Sequence, residues 1–448
     1  MDHLKVSNKA VYEYFIKLSL FALLIGMLMG IVGGLEYLFT EHFTNTYFNF
    51  TKIRPLHVTL VISWILLAAI GCIYFFLNEM NGMNKKKNIL PFIHFGIFFI
   101  VGLLILVNYV LGNLNGREYF EFPSYLMIPI ILGWILFFIF FFQAQYKNIF
   151  SGPIYVLMWF TGLFFMILTL TESSLYQLDF FGKNLIKDLT VQWKSNGALV
   201  GCWNMLVYGS ATYVMQKLSA EENKASNKLT FWLFLLGFSN LLFNWGHHIF
   251  IVPTSGWIKI ISYAISMTEL ILLARIIYLW NEKFKLRALT NFKLTRWLLL
   301  TSEYWIFLNL SLAILMSVPA INLYTHGTYV TVAHSMGTTI GINTSILLAC
   351  IFYILEKRNK SYAYKNSAKL LLYVLNIALF IFWTSLIIAG ITKGYYMNHS
   401  NIAFQQIAQK LVPYFILFFI AGVILFLTFT RFVVIIFKEF SSKESIKS

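Results

Sequence analysis

The sequence predicts an all-α integral membrane protein that crosses the bilayer about twelve times. Its composition indicates this class, because 59% of the residues are hydrophobic and only 12% are charged, whereas a soluble domain needs more polar surface. The apolar residues also fall into twelve runs, each near the length of about 20 residues that a helix needs to cross the hydrocarbon core. These observations exclude a soluble globular chain.

The twelve predicted spans occupy the chain almost from end to end, with short loops between them. They lie at approximately 15–38, 57–77, 89–111, 124–144, 153–171, 193–215, 230–252, 257–281, 297–321, 327–355, 368–392 and 411–438. The first is too long for the apolar core of a signal peptide and has no small-residue cleavage site, so we expect it to be retained. We therefore predict a single membrane domain over residues 1–448.

Lysine and arginine indicate the orientation of these spans. They cluster in the loops after spans 2, 6, 8 and 10, which lie on one side of the membrane, and short loops rich in these residues mark the cytoplasmic side. An even number of spans then places both termini in the cytoplasm. We therefore interpret the net charge of +16 as a topology signal and not as a nucleic-acid-binding surface.

Four histidines fall at a similar depth, in the outer third of the membrane. His57 begins the inward span 2, His247 and His248 end the outward span 7, and His334 lies about two turns into the inward span 10. Ionisable residues at membrane depth indicate a functional site, and imidazole is a usual ligand of haem iron, non-haem iron and copper. The adjacent pair can share one metal only if the helix ends there, and Pro253 is consistent with such an end.

A methionine follows the last of these histidines. Met336 lies two residues after His334, and side chains two apart on an α-helix point about 200° from each other, so the two could ligate different haems. Packing is the usual role of such a methionine, and His57 and His326 could each be ordinary interfacial histidines. A secondary transporter would also have twelve spans, but transporters often show internal repeats and carry their sites near the midplane, whereas this sequence shows no repeat.

Six stretches of sequence resemble one family, in order along the chain. They are LHVTLVISWILLAAIG in span 2, GREYFEFP before span 4, VQWKSNGALVG in span 6, GHHIFIVPTSGW in span 7, SYAISMTEL in span 8 and THGTYVTVAHSMGTTIG in span 10. With these motifs the chain resembles the catalytic subunit of the haem–copper oxidase superfamily and, within it, the large subunit of cytochrome c-dependent nitric oxide reductase. The resemblance covers essentially the whole chain and implies a twelve-helix haem–copper oxidase bundle in a bacterial inner membrane.

The resemblance implies roles for four histidines and one glutamate of the spans. His57 becomes an axial ligand of a low-spin haem b, and His334 the proximal ligand of a high-spin haem b3. His247 and His248 become ligands of a non-haem iron, or copper, that faces the second haem. Glu269 matches the buried glutamate beside that site and is the candidate catalytic carboxylate.

The resemblance also implies a calcium site and a route for protons. Glu118, in GREYFE, matches a ligand of a calcium ion between the haem propionates, and Gly71 and Tyr74 lie in the segment of span 2 that contributes there. Glu121 matches a position on a route for protons from the outer side.

The chain departs from the family pattern in span 10. Relatives carry H-x-H, whose second histidine completes the low-spin haem, whereas this chain has His334-Ser335-Met336. Because a thioether can replace imidazole, we predict a low-spin haem ligated by His57 and Met336. Such ligation raises the potential of a haem.

A second departure concerns the non-haem metal. Relatives place a metal-ligand histidine in span 6 where this chain has Gly197, and nitric oxide reductases add a glutamate where it has Gly201. Two of the three histidines of the metal site are therefore present. Asn196, Glu269 or water could fill the gap, or the metal could be weakly held or absent.

These residues lead to one favoured function and several alternatives. The favoured function is the reduction of nitric oxide to nitrous oxide and water, with a membrane-anchored cytochrome c subunit as electron donor. The second hypothesis is a cbb3-like terminal oxidase that reduces oxygen, although IFIVPTSGW lacks the tyrosine that such enzymes use. An altered reaction such as nitric oxide dismutation, or a degenerate electron-transfer subunit, is kept open by Gly197.

Overall fold

The computed structural model describes residues 9–39, 49–80, 89–219, 224–250, 252–285, 292–358 and 366–441. Some side chains within these ranges, including that of Glu269, lie outside the described part. The α-helices are α1 (Lys9–Leu38), α2 (Phe50–Met80), α3 (Leu90–Leu111), α4 (Met127–Gln145), α5 (Ile154–Ser173), α6 (Asp179–Gly182), α7 (Leu185–Ser219), α8 (Lys224–Phe243), α9 (Gly256–Lys285), α10 (Lys293–Ser317), α11 (Pro319–Thr325), α12 (Tyr329–Met336), α13 (Ser345–Arg358), α14 (Asn366–His399) and α15 (Phe404–Ser441).

Helices account for almost all of the regular structure, so the predicted all-α class is confirmed for the described residues. Nine helical segments in this part of the chain are long and apolar enough to cross a membrane, and they coincide with predicted spans 1 to 5 and 9 to 12. Predicted spans 6, 7 and 8 correspond to α7, α8 and α9, which are helical but are not among the nine. A multi-pass membrane protein is therefore confirmed, whereas the count of twelve spans stays a prediction.

The chain divides into two compact units. The first combines residues 1–26 with 55–245, and the second combines residues 27–54 with 246–448. In the first unit, α7 packs mainly against α5 and α8, and α4 packs between α3 and α5. Buried aromatic rings fill the spaces between these helices, for example Phe76 stacked on Tyr213 with ring centroids 4.3 Å apart.

Helix ends in the first unit agree with spans of alternating direction. Arg117, in the loop after α3, binds both carboxylate oxygens of Asp188 near the start of α7, at 2.7 and 2.6 Å. At the opposite end of α3, the Tyr74 hydroxyl of α2 lies 3.0 Å from Nδ1 of His94. Arg117 and Asp188 join the end of predicted outward span 3 to the start of predicted inward span 6. Tyr74 and His94 join the end of predicted inward span 2 to the start of predicted outward span 3.

The second unit is organised around α10, α13 and α14. Glu356, near the end of α13, accepts hydrogen bonds from the backbone nitrogen of Leu294 at 3.3 Å and from Oγ1 of Thr295 at 2.6 Å. A carboxylate at this position satisfies N–H groups that have no partner in the first turn of α10. Between α12 and α13 the chain forms a π-helix, Gly337–Thr344, a rare conformation that is frequent at functional sites.

Candidate functional site

Four imidazole rings come together in the second unit. The ring centroids of His247 and His248 are 4.2 Å apart, and that of His326 lies 6.2 Å from that of His248. Both members of the pair interact electrostatically with His326 and His334. We call His247, His248, His326 and His334 the histidine cluster. It contains three predicted ligands together with His326, for which an interfacial role was expected.

The adjacent histidines lie on a tight turn and not on a long helix. α8 ends at Phe243, and the 3₁₀-helix Asn244–Ile249 carries the pair, so the helix stops before Pro253, as predicted. A Cβ at Gly246 would lie 2.8 Å from Cβ of Ser262 on α9, so glycine allows the turn to approach that helix. Lys259 of α9 donates hydrogen bonds to two carbonyls that follow the turn and so holds its end in place.

The two ends of α12 determine where His334 and Met336 lie. Gly327 has a φ of 71° in the preceding turn, a conformation that favours glycine, and Oγ1 of Thr328 accepts a hydrogen bond from the nitrogen of Val330 as an N-cap. The helix ends at Met336. The α-helical geometry that separates the two side chains by about 200° is therefore present.

Hydrogen bonds from a neighbouring helix hold the backbone at His334. Oγ1 of Thr338 donates to the carbonyl oxygen of His334 at 3.1 Å, and Nδ2 of Asn309, on α10, donates to Oγ1 of Thr338 at 2.8 Å. Trp383 of α14 in turn donates to Oδ1 of Asn309 at 3.4 Å. This chain of contacts fixes the end of α12 on which the predicted haem ligand lies.

The surroundings of His334 fit a ligand of haem iron. Its Nδ1 atom is buried and forms no hydrogen bond among the residues that the structure describes, although the ring also interacts with the backbone of Asn309. Leaving such an atom unsatisfied is costly, so a further group belongs beside this ring. Burial also lowers the pKa of the neighbouring His326.

His57 fits the same chemistry in the first unit. Its Nδ1 atom lies 2.7 Å from the carbonyl oxygen of Gly26 on α1. A carbonyl only accepts, so Nδ1 carries the proton and Nε2 carries the lone pair, which is the usual arrangement of a metal-bound histidine. A Cβ at Gly26 would lie 3.1 Å from Cβ of Leu60, so glycine permits this approach of α1 to α2. Ligation of one haem by both His57 and Met336 stays a prediction.

The two positions at which the family resemblance implies further metal ligands lie on α7, where α8 and the 3₁₀-helix that follows it cover them. A Cβ at Gly197 would lie 2.5 Å from Cβ of Trp245, and a Cβ at Gly201 would lie 2.7 Å from Cα of Leu241. Across the described part of the chain, no three His, Cys, Asp or Glu side chains converge closely enough to hold a metal ion. The side chains present therefore do not fit a three-histidine non-haem metal centre.

Residues 9–424 match the family model "Cytochrome C and Quinol oxidase polypeptide I". The chain belongs to this family, the haem–copper oxidase subunit I family. This match confirms the predicted resemblance. Subunits of this family are membrane oxidoreductases that bind haems and a metal at the catalytic site.

Two individual proteins illustrate the similarity within the haem–copper oxidase family. A subunit of the nitric oxide reductase of Stutzerimonas stutzeri is 22% identical over 455 residues, which cover 94% of this chain and 93% of that protein. A haem–copper terminal oxidase dimer solved by cryo-EM has a TM-score of 0.75 at 16% identity, over 96% of this chain and 84% of the other. The second comparison shows a shared fold.

The residues expected around the predicted calcium site of this haem–copper oxidase subunit do not lie together. Glu118 lies in the loop after α3, but Tyr74 bonds to His94 near the start of that helix, roughly 25 Å away by the helical rise. Gly71 packs against Tyr12 and Ile16 of α1. The expected grouping of Gly71 and Tyr74 with Glu118 is therefore wrong, because α2 carries them towards its other end. Glu118 itself stays a predicted ligand.

A polar pocket beside Glu118 was missed by sequence reasoning. It is lined by Arg117, Asp188, Tyr176 and Asn196, among others. The Arg117 guanidinium lies over the Tyr176 ring, 4.6 Å from its centroid. The sequence held a signal for this pocket, because Arg117 follows predicted span 3 and Asp188 precedes predicted span 6.

Glu269 lies on α9, but its side chain is outside the described part, so its catalytic role stays a prediction.

Proposed function

We propose that the chain is the catalytic subunit of a respiratory haem-containing reductase that converts nitric oxide to nitrous oxide. The histidine cluster is the observation that carries this proposal. It gathers the predicted haem ligand His334 and three further imidazoles in one place. The likeness to a nitric oxide reductase along 94% of the chain supports nitric oxide as the substrate.

The residues of the chain divide the work of this reaction. His334 would hold a high-spin haem b3, and His57 with Met336 would hold a low-spin haem b. The haems, when bound, would supply electron transfer and an iron atom that binds the gas. The chain sets the orientation of the ligands, through Gly26 for His57 and through Asn309 and Thr338 for His334.

Protons and electrons must reach this site together. Two molecules of nitric oxide, two electrons and two protons give one nitrous oxide and one water. We propose that the Glu269 carboxylate delivers protons, and that a membrane-anchored cytochrome c subunit delivers electrons from outside the inner membrane. Among the described side chains, no three donors converge to hold a non-haem metal, so the proposal does not depend on one.

Oxygen reduction is the second candidate function. The fold shared with a haem–copper terminal oxidase favours it. Four electrons and four protons would then convert one oxygen molecule to two waters. The same ligands would hold the same haems, so the two candidates differ in substrate and not in architecture.

Haem analysis followed by gas turnover tests the proposal. The full chain is purified from bacterial inner membranes in detergent, its haem is identified by a pyridine haemochrome spectrum, and nitric oxide loss, nitrous oxide formation and oxygen uptake are measured with a chemically reduced donor. We expect haem b and one nitrous oxide for every two nitric oxide molecules. Oxygen uptake without nitrous oxide would select the second candidate, and a chain without haem would exclude both.

A further inference from the structure

We infer that this chain lacks the non-haem metal centre of its family, because the face of α7 on which the family resemblance implies metal ligands is the surface against which α8 and the following 3₁₀-helix pack. The inference goes beyond the proposed substrate and stands whether that substrate is nitric oxide or oxygen. It rests on three observations in the described part of the chain.

The first observation is a matched spacing of small and large residues. Gly197 and Gly201 are four residues apart, so they lie on one face of α7. Their contacts, Trp245 and Leu241, are also four residues apart. Two helical segments that meet through glycines at this spacing pack with their backbones unusually close, as in small-xxx-small contacts of membrane helices.

The second observation is that the covering atoms cannot move aside cheaply. A Cβ at Gly201 would lie 2.7 Å from Cα of Leu241, and a Cβ at Gly197 would lie 3.1 Å from Cα of Trp245. Both covering residues are buried, and Nε1 of Trp245 donates to the carbonyl oxygen of Leu242 at 2.8 Å. Because backbone atoms form the contact, even a methyl group would displace α8. An imidazole or carboxylate would do so by much more.

The third observation concerns the donors that remain. His247 and His248 are adjacent, and His326 is the nearest further imidazole, 6.2 Å from His248 between ring centroids. Even so, no group of three potential donors is placed to hold a metal within the described residues. A structural or catalytic zinc or iron site needs at least three protein ligands in the usual case.

Metal analysis of the haem-loaded full chain tests the inference directly. Cells are grown with added iron, copper, zinc and manganese, and the purified protein is analysed by mass spectrometry for metals and by haemochrome for haem. We expect haem iron to account for all of the bound iron, with no other transition metal in stoichiometric amount. One non-haem metal per chain that is lost in His247→Ala would overturn the inference. Loss in His326→Ala would also overturn it, and would identify the third donor.

Substitutions on α7 test the packing argument separately. Gly197→His restores the ligand of relatives, and we expect it to gain no metal and to lower the thermal unfolding temperature. A Gly197→His protein that binds one metal at unchanged stability would show that α7 still faces a metal pocket.

A smaller substitution keeps the test decisive if that variant does not fold. Gly197→Ala is compared with Gly102→Ala on α3, where a Cβ meets no atom within 4 Å. We expect only Gly197→Ala to lower the unfolding temperature. Equal stability of the two variants would overturn the packing argument.

The outcomes separate this inference from the proposed function. Nitrous oxide formation by a chain without non-haem metal supports both. Absence of turnover with haem present and metal absent contradicts the proposed function and leaves the inference standing. Stoichiometric metal overturns the inference at any level of turnover.

Discussion

The α7–α8 contact of the first unit and the histidine cluster of the second unit depend on opposite properties of their residues. The first depends on what Gly197 and Gly201 lack, since any side chain there would meet the backbone or Cβ atoms of the covering segment. The second depends on what its side chains carry, since four imidazoles lie in one neighbourhood. The family resemblance implies metal ligands in both regions.

This contrast shows how a shared architecture can lose one part of a site and keep another. A ligand cannot be regained at such a position by one substitution alone, because atoms of the neighbouring segment occupy the space that its side chain would need. His247 and His248 lie on a short turn whose end is held by the hydrogen bonds of Lys259.

The largest expected effect comes from removing a side chain from the histidine cluster. His334→Ala should lose the high-spin haem and all gas turnover, because no other residue is predicted to ligate that iron. Haem content, the optical spectrum and turnover measure this. His399→Ala is the control, since this exposed histidine of the same unit stacks on Tyr324 instead. Full turnover by His334→Ala would contradict the assignment.

Adding a single methyl group tests the opposite region. Gly201→Ala should destabilise the protein by about 1–3 kcal/mol through overpacking, because its Cβ meets Cα of Leu241. Gly96→Ala on α3, where a Cβ meets no atom within 4 Å, should be neutral or stabilising by up to ~1 kcal/mol through helix propensity. Unfolding in detergent, followed by tryptophan fluorescence, measures both. A stability of Gly201→Ala equal to that of Gly96→Ala would contradict the comparison.

We expect the smallest change in stability, together with a change in the haem spectrum, from substitutions of Met336. Met336→Leu conserves volume and should change stability by less than about 1.5 kcal/mol, yet it should abolish the low-spin haem signal because leucine cannot ligate iron. Met336→His should restore a six-coordinate haem at a lower potential, since imidazole replaces thioether. Redox titration and EPR measure this. Met316→Leu, a buried methionine on α10, is the control, and an unchanged low-spin signal in Met336→Leu would refute the ligation.

Much of the site was predictable because its residue types are unusual in their context. Histidines within apolar runs stand out in any membrane sequence, and alternating span direction places them at one depth. His326 was not predictable as a neighbour of His248, because it precedes its span and reaches the pair only through the turn before α12. The helices of spans 6 to 8 are not among the nine apolar helices of the described residues, and α7 carries the buried polar residues Asp188 and Asn196.

The sequence alone determined the all-α membrane class, most of the spans, the helical spacing of His334 and Met336, and the family. Periodicity and hydropathy act locally along the chain, so they can be read without coordinates. Only the tertiary structure showed that the missing ligands at Gly197 and Gly201 are covered by α8, and that Tyr74 belongs with His94 and not with Glu118. These facts depend on distances between residues far apart in sequence, which a local pattern does not contain.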